Sequence, residues 1–200
     1  MAGLIAGLRD FHWLAIKITQ FGHGVCSANG EACDCETADH TIAVSEERAP
    51  SRTDTGRYLA AGAARSLWIR TRQGQLVEAM PRIRQELARS TNTLIESNSI
   101  LRFVRPDLYL TVLDPAVSDF KSSARRYLDR ADAILRTGET CLAPDPWKDI
   151  SPNLYRGIPV IRIQSPTFVS PELLDFVRGH LAASSTQPES SPDAQGVPRS

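Results

Sequence analysis

Two hundred residues, 42% hydrophobic and 23% charged, suit one globular domain with room for a real core. Lys plus Arg and Asp plus Glu are each 23, and a formal net charge of zero argues against a nucleic-acid binder, whose domains are usually basic. No apolar run approaches the ~18 residues that span a bilayer, and the opening residues lack the basic start of a secretory signal, so no membrane contact and a cytoplasmic location are expected.

In chain order, Leu4, Ile5, Leu8 and Phe11 share one helical face, and residues 13–18 form an apolar run ending in Lys17-Ile18-Thr19. A helix therefore runs straight into a buried strand. A polar, Gly-containing loop follows over residues 20–40, then a short strand or edge segment over 41–47. Thr53 or Asp54 is placed to cap a helix that Gly62 ends, and residues 64–70 read as the next strand. Residues 75–89 form the clearest amphipathic helix, with Leu76, Met80, Ile83 and Leu87 at three- and four-residue spacing.

A compact strand over 91–95 ends at Glu96-Ser97-Asn98-Ser99, and residues 108–113 are near-continuously apolar, as in a strand covered on both faces. A helix is expected over 119–129, with Lys121, Arg125, Arg126 and Arg130 on a basic face. Strands follow over 131–135 and 157–163, and Ser170-Pro171-Glu172 opens a last helix with Pro in its first turn. From Ala183 onward Ser, Thr, Gln, Pro and Glu dominate, the composition of a disordered tail. Trp13 and Trp68, both in strands, read as core.

Strand-then-helix order repeated over residues 1–182 predicts a three-layer α/β domain, a mostly parallel sheet with helices on both faces. Ligands of such sheets bind at the carboxyl ends of the strands, here the loops after Thr19, Arg70, Ile95, Leu113 and Leu135.

Three of the four cysteines crowd the 20–40 loop, where His23, Cys26, Cys33, Cys35 and His40 supply enough soft ligands for zinc or part of an iron–sulfur site. A loop of reduced thiols and a redox pair are the alternatives, and Cys-x-Cys is not the spacing of a standard zinc knuckle. Glu96, at the ligand edge, could hold Mg²⁺ through water or polarise an attacking water, or could cap a short helix over 99–103. Asp54 and Arg57 could reach a metal and a phosphate, or serve as an N-cap and a solvated helix face. Asp114-Pro115 marks either a strand-ending turn or a loop near a nucleotide base.

Asp54-Thr55-Gly56-Arg57, the Ala61-Gly62-Ala63 that follows, and Leu94-Ile95-Glu96-Ser97-Asn98 resemble segments of the P-loop GTP-binding adaptors of molybdopterin-guanine dinucleotide biosynthesis. The opening helix and Ile16-Lys17-Ile18 resemble that family's helix after the phosphate loop and its strand ending in Ile-Lys. The likeness runs over residues 1–135. It implies a P-loop NTPase-like fold, GTP and Mg²⁺ as ligands, a nucleotidyltransferase as partner and a homodimer as an open alternative. It also implies a catalytic role for Glu96 and nucleotide contacts from Lys17, Asp54, Arg57 and Asp114. At most a weak GTPase is expected.

The departure from the family is the absence of any Gly-x-x-x-x-Gly-Lys-Ser/Thr, so there is no backbone cradle for phosphate. Lys17 does not replace the missing lysine, because it follows no Gly-rich loop. Either the domain is N-terminally truncated as given, its first strand and phosphate loop lying upstream, or it is a degenerate member that no longer binds nucleotide. The rival function is a metal-binding sensor or interaction module built on the cysteine loop.

Overall fold

A computed structural model describes residues 1–21, 42–114, 122–138 and 150–185 of the chain. Its elements are α1 (Ala2–Gly7), β1 (Leu14–Phe21), β2 (Ile42–Glu46), α2 (Asp54–Ala60), β3 (Arg65–Arg72), α3 (Leu76–Ala88) and β4 (Thr93–Glu96), then β5 (Leu110–Leu113), α4 (Ser122–Arg126), β6 (Ala133–Arg136), β7 (Val160–Arg162) and α5 (Pro171–Ser185). The α/β class with helices around a largely parallel arrangement of strands is as the alternation of patterns predicts.

Hydrogen bonding divides the strands into two sheets. One has the order β2-β3-β1-β4, with β3, β1 and β4 parallel and β2 antiparallel on the outside; the other is β5-β6-β7, all parallel. A common core joins them. Leu4, Ile5 and Leu8 of the opening segment, Tyr58 of α2 and Leu173 and Val177 of α5 pack with Ala15 of the first sheet and with Ala133, Leu135 and Ile161 of the second. On the reverse face α3 buries Leu76, Met80 and Ile83 against Ile16, Ile18, Leu67 and Ile69, at roughly 1.5–3 kcal/mol for each large side chain withdrawn from water. The two sheets thus share a helical layer without sharing a ladder: among the described residues β4 bonds only to β1.

Several boundaries differ from expectation. β1 runs on to Phe21 and β3 to Arg72, so these strands overshoot β4, whose pairing with β1 stops at Lys17↔Glu96. Pairing with β3 over all eight residues sustains the extension, although the apolar pattern stops at Ile18. Within the described part of the 119–129 segment, α4 ends at Arg126 and a 3₁₀ turn follows at Leu128–Arg130, and α5 continues to Ser185, past the point where the composition turns polar. The cysteine loop, the 115–121 and 139–149 segments and residues 186–200 lie outside the described residues. No helix among those described is long and apolar enough to cross a membrane.

α1 is pinned by the segment leading into α5. A Cβ on Gly3 would lie 2.3 Å from the Thr167 carbonyl oxygen, so that position requires glycine for close approach, and one on Gly7 would lie 2.6 Å from Leu174 Cδ2, which would have to shift its side chain. Arg178 completes the clamp, donating from Nη1 to Asp10 Oδ2 at 2.8 Å with its guanidinium over the Phe11 ring.

A second tie crosses the opposite face. Arg65 donates from Nε to Glu46 Oε1 at 2.7 Å and from Nη1 to Glu86 Oε2 at 2.9 Å, while Arg82 Nη2 lies 2.6 Å from Glu86 Oε1. Glu86 is 1% exposed, whereas both arginines reach water. Losing one member of a fully buried pair costs about 3–5 kcal/mol. Because these cations can rehydrate, Glu86→Ala should cost about 2 kcal/mol. Urea unfolding should show a lowered midpoint with an unchanged m-value; an unchanged midpoint would contradict a structural role for the network.

Candidate functional site

The middle of β1 and the carboxyl end of β4 meet the start of α2, and four functional side chains converge there. In-register parallel pairing sets Lys17 of β1 directly beside Glu96 of β4, on the sheet face that α2 covers. α2 begins where it does because Thr53 caps it, its Oγ1 accepting from the Gly56 N–H at 3.0 Å, a contact worth about 1 kcal/mol. Ser51, Thr53 and Thr55 form a hydroxyl cluster in which Glu47 Oε1 accepts from Thr55 Oγ1 at 2.6 Å and Thr53 Oγ1 at 2.9 Å. The loop before α2 is held by these bonds, and that fixes where Asp54 stands.

Asp54 accepts from Lys17 Nζ through Oδ2 and from Arg57 through Oδ1. The Lys17 side chain is 13% exposed and that of Arg57 62%, so the first contact is shielded and the second lies in solvent. One turn along α2, Tyr58 is buried and its hydroxyl donates to Glu96 Oε2. Asp54 and Tyr58 are thus i and i+4 on one helix face, and each grips one member of the Lys17–Glu96 pair. The Met1 end of α1 lies within electrostatic reach of both Glu96 and Asp54.

Burial acts to raise the Asp54 pKa, but the hydrogen bonds and positive charge of Lys17 and Arg57 outweigh it and hold the carboxyl below its ordinary range. Burial first, then the bond to Glu96, pushes the Tyr58 hydroxyl far above its ordinary value, so it remains a proton donor at any working pH. The cluster therefore offers a fixed carboxylate at Asp54, a carboxylate at Glu96 oriented by a neutral phenol, and two cations.

The structure brings together Lys17, Asp54, Arg57 and Glu96. Asp54 is the first residue of α2, and the cap is Thr53. Glu96 caps nothing in the Ser99–Arg102 3₁₀ turn, whose N-cap is Asn98. β4 is only half-buried and Glu96 is exposed. Asp114 belongs to the other sheet, exposed just past β5. His23, Cys26, Cys33, Cys35 and His40, with Cys141, lie outside the described residues. Among the described residues no group of three or more His, Cys, Asp or Glu could hold a metal ion. Two carboxylates remain, whose hard oxygen donors suit a largely hydrated Mg²⁺ rather than a protein-enclosed metal.

Two contributors were not legible as site residues. Tyr58 stands one turn from Asp54 and could have been found by helix spacing alone. Trp68, expected in the core, is only half-buried: it occupies the register position beside Lys17, its indole N–H donates to Thr19 Oγ1 at 2.9 Å, and the Arg70 guanidinium lies 4.6 Å from its ring centroid. The alternation of Lys17 and Thr19 along β1 was the available signal that this face is polar.

Because the folded-state pKa of Asp54 is depressed, its stabilising contribution is complete above the ordinary carboxylate pKa of about 3.9 and is lost as pH falls through the folded value. Lys17→Met removes a main cause of the depression. The stability gap between wild type and variant should be largest near neutral pH and narrow between about pH 5 and pH 2. Urea unfolding across that range checks this; a gap independent of pH would show that the ion pair does not set the Asp54 titration.

No protein-family model, curated protein or solved structure matches this chain.

Proposed function

We propose that this chain is a nucleotide-binding accessory protein on a P-loop NTPase-like fold, resembling the guanylation adaptors of molybdenum-cofactor assembly, with GTP as ligand and a nucleotidyltransferase as partner. The observation that supports this reading is the convergence of Lys17, Asp54, Arg57 and Glu96 at the carboxyl end of β4, beside the middle of β1, since open α/β sheets place their ligands at carboxyl ends of strands. Cations next to carboxylates suit a phosphate chain accompanied by a divalent metal ion. When bound, Mg²⁺ would supply charge neutralisation between phosphate oxygens.

Each residue then has a task set by its contacts. Lys17 holds Asp54 in place and adds positive charge from a shielded position. Arg57, mostly in solvent, is free to swing from Asp54 toward an anion. Glu96 and Asp54 would offer carboxylate oxygens to metal-bound or bulk water, and Tyr58 holds one oxygen of the Glu96 carboxylate through its hydroxyl. Nothing in this set is a strong nucleophile, in keeping with binding and, at most, slow hydrolysis.

A backbone phosphate cradle is not among these 200 residues. Among the described residues no strand pairs with the outer edge of β4, beside Glu96, and a further parallel strand bearing a Gly-rich loop there would complete the site. Equilibrium dialysis with GTP and Mg²⁺ tests this. Residues 1–200 should bind with Kd of ~1 mM, and the chain extended by the residues encoded upstream should bind at least ~100-fold more tightly. In the longer form Glu96→Gln should abolish the Mg²⁺ dependence. An upstream in-frame stop, or an extension that leaves affinity unchanged, would contradict the proposal.

A further inference from the structure

The segment between β2 and α2, residues 47–53, carries a hydroxyl and two cations that the cluster around Asp54 does not use. Arg48, Ala49, Pro50, Ser51 and Arg52 are all exposed and lie in neither strand nor helix. Among the described residues neither Arg48 nor Arg52 makes a hydrogen bond or an ion pair, unlike Arg57, Arg65, Arg82 and Arg178. Two unpaired guanidinium groups therefore stand three residues before and one residue after a serine in an accessible loop.

Ser51 is seated where only a hydroxyl fits. Its Oγ lies 2.8 Å from Thr53 Oγ1, and a Cβ on Gly56 would lie 1.9 Å from that serine oxygen, so Ser51 rests directly on the first turn of α2. Thr53, the N-cap of α2, accepts from the Gly56 N–H at 3.0 Å and donates its own proton to Glu47 Oε1 at 2.9 Å. Ser51 is therefore the donor in its bond to Thr53. Glu47 is tied in turn to β3, its N–H donating to the Ser66 carbonyl at 3.0 Å. A phosphoryl group in place of the Ser51 proton would remove that donor and bring up to about two negative charges within one hydroxyl of Glu47. It would also need room that the contact with Gly56 does not leave.

We propose that Ser51 is a phosphorylation site for an arginine-directed protein kinase, and that the modification loosens the start of α2 and with it Asp54. In the transfer Ser51 Oγ attacks the γ-phosphorus of ATP. The Oγ–P bond forms as the bond to ADP breaks, and the hydroxyl proton passes to the kinase base. Arg48 and Arg52 act twice. They present positive charge around the acceptor for an acidic kinase surface, and afterwards they pair with the phosphate outside the former seat of the hydroxyl. Repulsion from Glu47 and crowding against Gly56 keep the phosphate out of that seat. Asp54, the residue after the cap, then loses its fixed position beside Lys17. The effect holds for any ligand of the Asp54–Glu96 cluster and does not depend on that ligand being a nucleotide.

Incubation of the 200-residue chain with ATP and the catalytic subunit of a kinase that selects arginine three residues before serine tests this. Intact-mass and fragment analysis should find one phosphate, on Ser51, and none on Ser51→Ala. That variant loses a single exposed hydroxyl bond and should keep the wild-type urea midpoint. Arg48→Ala should slow incorporation at least ~10-fold, the worth of one hydrogen bond to a charged group. In the phosphorylated chain amide exchange over residues 54–60 should quicken roughly 5-fold, the worth of one N-cap contact, with α3 unchanged.

No incorporation at Ser51, or an unaltered rate in Arg48→Ala, overturns the site. Phosphate on Ser51 with unchanged exchange over residues 54–60 overturns the switch.

Discussion

The parallel register of β1 with β4 is the constraint on which the rest of the site depends. It sets Lys17, midway along β1, beside Glu96 at the carboxyl end of β4, two opposite charges on one face. Each then needs a partner other than the hydrophobic layer behind it, and α2 supplies both, Asp54 to Lys17 and Tyr58 to Glu96. A slip of one residue in β4 would turn Glu96 toward the α3 side and leave Tyr58 with a buried, unpaired hydroxyl. Sheet register, helix start and side-chain chemistry therefore specify one another.

The division into two sheets follows from the same packing. α1, α2 and α5 cover strands from both sheets in one apolar cluster, so the core is continuous where the hydrogen-bond ladder is not. Apolar contact is non-directional and tolerates a missing ladder; backbone donors and acceptors do not. The open edge of β4 is thus the place in the described structure where backbone bonding capacity and the charged cluster coincide.

Much of the fold was legible in the residues. The 3.6-residue spacing of Leu76, Met80, Ile83 and Leu87 predicts α3 to within a residue at each end, and Thr53 with Gly62 brackets α2. Asp54, Arg57 and Glu96 could be nominated because strand–helix alternation points to carboxyl-end loops, and Lys17 only through the family resemblance. What could not be read was which strands pair. Register between β1 and β3, 51 residues apart, decides that Trp68 shares a face with Lys17 rather than with Ile16 or Ile18, and no local pattern encodes that. The overshoot of β1 and β3 escaped for a related reason, since polar residues such as Gln20 and Arg72 are held in strand by their partners rather than by a buried face.

The most direct measurement is amide hydrogen exchange on the 200-residue chain with and without saturating GTP and Mg²⁺. Ligand at the carboxyl-end cluster should slow exchange in residues 14–21, 54–60 and 93–98, with little change in α3. Protection confined to the β5-β6-β7 sheet, with those three segments unchanged, would contradict the assignment of this cluster as the binding site.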